Sequence, residues 1–438
     1  MDVADNTSLT QKVQYFVYSS TGIQLDLKPC QNEDVQISYP LTNTASISIE
    51  KGEELSSLGY DLYNPEDPFY NDKCSSYSNS SIDVPLQDRR NDLFVEAPFC
   101  EDNCVYGGIN YTTGKVSCNC SVNESEVKPK KNFDSFGDDL FDQTNLLLFK
   151  CYKQFNNANN IKKNIGFYFC GSIILIQISC AIAFMITGLN SIYLKFKVVI
   201  DQFYINLNEK SITTQVDVDN CRFVDAKQKE ERGIWKYFFI LFVKQFSLIN
   251  IFCFPNEYDI LPISLSLFLF SVASDYMINA LLFSDDVISQ RYKNKGHLNP
   301  VTTYSLSIIS NIVSSIICII GVKLTNFSGT LELFAQEHQK EKEYVEKLKA
   351  ILKIIRNKII LFFIYEFAMM GMYFYFMMIF CAVYKGSQLN WFTNGLTSNL
   401  LSLLTTLGIS VLISILRYIG LYCNSERIYN ISLYLNNY

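Results

Sequence analysis

The chain has 438 residues, 49% hydrophobic and 18% charged, with 33 Phe and 28 Tyr, which excludes an intrinsically disordered protein. A net charge of −6 argues against a polyanion-binding protein, so no nucleic-acid partner is expected. Two histidines, His297 and His338, leave little for histidine-based catalysis or a multi-histidine metal site.

The charge is unevenly placed. Residues 1–164 carry 24 Asp+Glu and 14 Lys+Arg, net −10; residues 165–438 carry 19 and 23, net +4, with long uncharged apolar runs. An acidic soluble head over 1–127 therefore precedes a membrane half. The opening MDVADNTSLTQ has no basic n-region and no apolar h-region, so it does not read as a signal peptide. The start reads as that of a truncated gene model or an excised part of a longer protein, the alternative being that the first span exports the head by itself.

Within the head, alternating aromatic and β-branched residues predict strands over 13–19, 35–41 and 45–50, and hence a small β-rich module. Six cysteines, Cys30, Cys74, Cys100, Cys104, Cys118 and Cys120, read as its disulfide framework, the last four in a C-x3-C-x13-C-x-C cluster. Six cysteines allow 15 pairings. Loop geometry favours nested Cys100–Cys118 and Cys104–Cys120, leaving Cys30 with Cys74. A zinc knuckle is the competing reading, but it needs a reducing compartment and is usually built on C-x2-C pairs. Asn6, Asn79, Asn110, Asn119 and Asn123 stand in N-x-S/T contexts, the pattern of a glycosylated outside segment; Asn119, followed by Cys120, is the poorest acceptor. Asp61, Asn64, Glu66, Asp67, Asn71 and Asp72 form an oxygen-rich run without the spacing or glycine of an EF-hand, and read as a solvated acidic loop rather than a Ca²⁺ site. Residues 128–164, polar and rich in Asn, Lys and Asp, read as a stalk.

Five runs are long and apolar enough to cross about 30 Å of hydrocarbon: Ile165–Leu189, Ile260–Phe283, Val301–Val322, Ile359–Tyr384 and Leu396–Tyr422. The run 237–254 contains Lys244, ends at Pro255 and reads as an interfacial or re-entrant helix. Segments 190–236 and 323–358 carry eight basic residues each. Basic loops stay cytoplasmic, and five spans place both on one side whereas six would separate them. The expected topology is head outside and tail 423–438 inside, at the plasma membrane or another cell-surface membrane. Residues 331–358 predict a charged helix in which Tyr344, Leu348, Ile351 and Ile355 share a face, either a short coiled coil or an extension of the fourth span.

No Walker A loop, HExxH, GxSxG or dinucleotide fingerprint occurs, so neither an enzyme nor a cofactor is expected. The informative polar residues lie in the spans. Asp275 and Asn279 are one turn apart on one helix face, and Glu366 sits about two turns into its span. A buried carboxyl group in a membrane is costly and points to function by default, as an ion or proton path; the plainer reading is an interhelical hydrogen bond. Arg417 is expected to snorkel to the cytoplasmic interface rather than pair with Glu366.

Residues 55–94, LSSLGYDLYNPEDPFYNDKCSSYSNSSIDVPLQDRRNDLF, followed by the CEDNC…CNC cluster, resemble a module of large cysteine-rich surface proteins of ciliates and other protists. Those proteins often carry EGF-like or furin-like repeats before a multi-span C-terminus. MINALLF (277–283) and FCAVYKGSQLNWF (380–392) look like the membrane region of polycystin-1-like proteins. The lipase-like β-sandwich and the autoproteolysis motif of that family are missing, so self-cleavage is not carried over. Together these imply a non-enzymatic multi-pass glycoprotein in contact with the bilayer and with an extracellular protein or glycan. Its role would be adhesion, sensing or surface coating; the alternative is a polycystin-like channel or channel-associated subunit.

Overall fold

The computed structural model describes residues 18–26, 34–40, 49–93, 100, 104–121, 144–188, 190–194, 223–230, 232–245, 251, 260–325 and 344–436. Two compact units are present: 1–143 together with 288–296, and 144–287 together with 297–438.

In the first unit, β1 (Asp34–Pro40), β4 (Cys104–Asn110) and β5 (Lys115–Ser121) form an antiparallel sheet in the order β1-β5-β4, and β2 (Ser78–Asn79) pairs with β3 (Ile82–Asp83). Alternation along the central strand sends Val116, Cys118 and Cys120 to a buried face with Ile37, while Asn119 is exposed. A second cluster is aromatic: Leu55, Leu62, Tyr63, Phe69, Tyr70, Tyr77 and Val84, with Tyr60, Tyr106, Tyr111 and Tyr292 packed on it. Tyr292 comes from 288–296, the segment between the second and third spans, and Lys293 of the same segment bonds Asp88 at 3.2 Å.

The head is not simply β-rich. Its described residues also form α1 (Ile49–Ser57), α2 (Pro68–Asn71) and α3 (Leu86–Asp92). The strand expected over 45–50 gives way to α1 by Ile49, because Glu50, Lys51, Glu53, Glu54 and Leu55 favour helix. Residues 45–48 and 13–17 lie outside the described part, and Tyr18 forms only an isolated bridge with Gln24.

Among the described residues, the second unit contains five helices long and apolar enough to cross a membrane: Ile165–Gly188, Leu261–Leu282, Pro300–Thr325, Ala350–Val383 and Gln388–Tyr422. We number them first to fifth. The second helix packs against all four others and is the most buried. The apolar side chains Leu175, Ile186, Ile312, Ile316 and Leu404 stay exposed, as a lipid-facing surface requires. The helix Ile234–Gln245 has 12 described residues, roughly 18 Å, less than a span needs. It lays Tyr237 and Leu241 against Ile413 of the fifth helix and leaves Trp235 77% exposed.

The fourth helix begins as part of a 40-residue helix, Tyr344–Val383. The charged segment is thus, where described, an extension of that span, and Ile355 and Ile359 bury against Phe184, Ile192 and Ile260. Residues 331–343 lie outside the described part. The stalk reading reaches too far. From Asn145 the chain folds onto the helices as a 3₁₀ turn, Asn145–Lys150, burying Leu148. Asn145 Nδ2 donates to the carbonyls of Ala280 and Phe283, and Tyr375 Oη donates to the Phe149 carbonyl at 3.0 Å. The apolar LLLF within a polar stretch drives this. Past the fifth helix, Glu426–Asn436 turns back as a helix, and Gly420 gives Tyr429 room: a Cβ there would lie 2.7 Å from the Tyr429 amide.

Candidate functional site

Asp275, Asn279 and Glu366 fall into two separate clusters of polar residues. Asp275 is 4% exposed, and Asn279 and Glu366 are fully buried. In the first cluster, Ser266 Oγ of the second helix reaches both carboxyl oxygens of Glu366 at 2.8 and 2.7 Å, and Gln177 Nε2 of the first helix donates to Oε1 at 2.5 Å. The contacts are short and tie the first, second and fourth helices together.

The second cluster joins the second, third and fifth helices and is more open. Ser398 Oγ lies 3.1 Å from Asp275 Oδ1 and 3.1 Å from the Ser307 carbonyl, and 3.4 Å from Ser310 Oγ. Asn399 Nδ2 donates to Asp275 Oδ2 at 3.3 Å, and Asn394 Nδ2 to Asn279 Oδ1 at 3.2 Å. Ser307 Oγ approaches Asn394 Oδ1 at 3.5 Å. Asn279 Nδ2 is buried without a hydrogen-bond partner. Beside this layer Trp391 Nε1 donates to the Tyr276 carbonyl at 3.1 Å. Gly395 fits against Tyr276, where a Cβ would come within 2.4 Å of the ring. Small residues on the fifth helix let the backbones close up and bring the polar side chains into reach. The i, i+4 placement of Asp275 and Asn279 is visible in sequence; their partners, more than 100 residues on, are not.

Comparison of the chain with family models, curated proteins and solved structures gives no match. Its chemistry therefore rests on its own geometry.

Arg417 corrects the expectation of snorkelling. It is buried, with Nη2 3.0 Å and Nε 3.2 Å from Glu230 Oε2, and its guanidinium lies 4.6 Å from the centre of the Tyr237 ring and 5.1 Å from that of Tyr429. Arg232 Nε bonds Glu230 Oε1 at 2.6 Å. Burial pushes the Glu230 carboxyl up, but Arg232 and Arg417 outweigh it and hold it below the usual carboxylate range. An acid at hand inside the protein makes the interface unnecessary for Arg417.

In the head, disulfides join Cys100 to Cys118 and Cys104 to Cys120, with Cα atoms 5.7 and 3.9 Å apart. Cys74 is disulfide-bonded, and so is Cys151, which the sequence reading left out of the framework. Cys30, Asn6 and Asn123 lie outside the described residues. Asn79, Asn110 and Asn119 are exposed. Asn110 Oδ1 accepts from the Thr112 and Thr113 amides at 3.0 and 3.2 Å, which engages the oxygen and not the nitrogen that a glycan would modify.

The oxygen-rich run is spent on backbone. Asp67 caps α2 by accepting from the Phe69 amide at 2.7 Å and from the Asp61 amide at 3.0 Å. Asp61 Oδ1 accepts from the Tyr63 amide and Tyr106 Oη. Burial lifts the Asp61 carboxyl above its ordinary range, against the lowering effect of those two donors. Asn64 and Asp72 accept from the amides of Glu66 and Cys74, and Asn71 Nδ2 donates to the Pro65 and Asp67 carbonyls. Among the described residues, no three His, Cys, Asp or Glu side chains form a metal-holding group. The Asp-Arg-Arg triplet is structural too: Asp88 meets Lys293, Arg89 lies over Phe69, and Arg90 Nε donates to the Tyr70 carbonyl.

Proposed function

We propose that this chain is a non-enzymatic, multi-pass surface membrane protein that displays a disulfide-bonded head outside the cell for adhesion, sensing or surface coating. The observation that carries this reading is the membership of 288–296 in the head. The chain leaves the head, runs through the first and second apolar helices and returns to contribute Tyr292 and Lys293. A return to the same side needs an even number of crossings, which two spans and a non-spanning Ile234–Gln245 supply. The same count puts the basic segments 190–236 and 323–358 together on the opposite face, which the positive-inside rule makes cytoplasmic. Disulfides favour an oxidising compartment for the head.

The burial of Asp275, Asn279 and Glu366 in cross-helix hydrogen bonds favours packing over a hydrated path, and so the surface protein over the channel. The bilayer is one partner; an extracellular protein or glycan is the class expected at the head. Treatment of intact cells with glycosidase is expected to lower the mass of the protein, with Asn110 or Asn123 accounting for part of the shift. Antibody reaching a C-terminal tag without permeabilisation would overturn the orientation.

A further inference from the structure

Residues 347–358 hold five basic residues, Lys347, Lys349, Lys353, Arg356 and Lys358, and no acid. They lie at the start of the fourth span, in the 40-residue helix Tyr344–Val383. Such a helix is roughly 60 Å long, about twice the thickness of the hydrocarbon. Its far end is fixed at Val383, where the chain turns through 384–387 into the fifth helix. About 20–25 residues counted back from Val383 cross the hydrocarbon, so its other boundary falls at about residues 359–364. The stretch from Lys353 to Lys358 covers roughly 7.5 Å of helix beyond that boundary, about the depth of one headgroup layer.

Packing fixes how this stretch is presented. Ile355 and Ile359 bury against Phe184, Ile192 and Ile260, with Ile351 and Leu352 packed beside them. Lys353, Arg356 and Lys358 are left exposed. So are the apolar Ile354, Leu361 and Ile364, at 54%, 52% and 60%. Basic and apolar side chains exposed together at the end of a span suit a lipid boundary: acyl chains cover the apolar ones, and the long basic stems reach out to the headgroups. Lys323, exposed near the end of the third helix, precedes Leu324, which packs on the same apolar cluster. Among the described residues, none of Lys323, Lys353, Arg356 and Lys358 pairs with an acid, and 350–365 contains no Asp or Glu. Arg232 and Arg417 offer a contrast, since both are matched by Glu230. Four cations thus stand at headgroup level without a protein counter-charge, and phosphate is the anion that layer supplies.

We propose that Lys353, Arg356, Lys358 and Lys323 form a docking site for the headgroups of anionic phospholipids, which hold this end of the third and fourth helices at a fixed depth. Placing the site in the cytoplasmic leaflet, where such lipids gather, rests on the orientation proposed above; its preference for anionic headgroups does not. The test uses the full chain in nanodiscs whose two faces have the same lipid composition, so orientation does not enter. The two natural tryptophans are removed by Trp235→Phe and Trp391→Phe, and Ile354→Trp sets a reporter between Lys353 and Lys358. Quenching by brominated phosphatidylserine, compared with brominated phosphatidylcholine, gives the relative affinity at that spot. One lysine near an anionic surface supplies about a fivefold preference, so phosphatidylserine is expected to be favoured by about fivefold or more at low salt, and by less at about 1 M salt. Lys353→Gln, Arg356→Gln and Lys358→Gln together are expected to reduce the preference to about twofold or less. Glutamine at Lys150, Lys153 and Lys163, exposed just before the first helix, is expected to leave it in place. Equal quenching by the two lipids would overturn the proposal, as would a preference that survives the first triple variant. An equal loss in the second triple variant would also overturn it, by showing attraction to overall charge alone. Should the reporter chain fail to fold, mass spectrometry of the phospholipids retained through detergent purification decides the matter: no enrichment of anionic lipid on the natural chain over the first triple variant would refute the site. An antibody reaching the C-terminal tag would move the site to the other leaflet and leave these outcomes unchanged.

Discussion

At the residue scale, the Arg232–Glu230–Arg417 group shows how far a single side chain can be read without its partner. Arg417 near the end of an apolar run looks like a snorkelling residue, because nothing in the sequence couples it to an acid 187 positions away. Glu230 reaches it through the short segment Phe223–Lys229 and its neighbour Ile234–Gln245, which dock on the fifth helix. Removing one partner of a buried pair strands the other, so Arg417→Ala is expected to cost about 3–5 kcal/mol, read by thermal unfolding. The pair also gives an acid limit. The folded Glu230 carboxyl titrates below the unfolded value of 4.5, so its stabilisation is complete above that pH and fades as pH falls through the folded value. Trp235 sits on the docked helix, and its emission in a Trp391→Phe background is expected to shift on acidification below pH 4.5 and to stay flat in Glu230→Gln.

At the scale of elements, the membrane helices were the most legible part. Each of the five apolar runs is a helix, because a chain in hydrocarbon must satisfy its backbone internally and length alone then decides. The head was less legible for a physical reason. Segment 45–50 alternates like a strand, yet the chain turns helical at Ile49 because the Glu- and Lys-rich stretch after it favours helix. The strand expected over 35–41 forms as β1, whereas the β4–β5 hairpin lay outside the expected strands, although disulfide, burial and alternation agree there on one face. Replacing Cys104 and Cys120 by serine opens a loop with a sequence separation of 16, and is expected to cost about 3 kcal/mol, measured as reduced resistance of the head to denaturant. In the membrane unit, Gly395→Ala would place a methyl against the Tyr276 ring and force the second and fifth helices apart. A loss of about 1–3 kcal/mol in thermal unfolding is expected.

At the scale of the whole molecule, the notable feature is that the first unit is discontinuous: a sheet and an aromatic core from the N-terminal part are joined by 288–296 from between two spans. This was not legible, because YKNKG in a short basic loop gives no sign of where Tyr292 will pack. The feature sets an order for biogenesis. About 175 residues separate the last strand of the head from the end of this segment, so at about 5–20 residues per second the ribosome supplies the missing piece roughly 10–35 s later. Through that interval Asp88 lacks Lys293 and the tyrosine cluster lacks Tyr292, so the head waits half-built while two membrane helices are laid down. Its final closure thereby reports that both of them have been inserted the right way round.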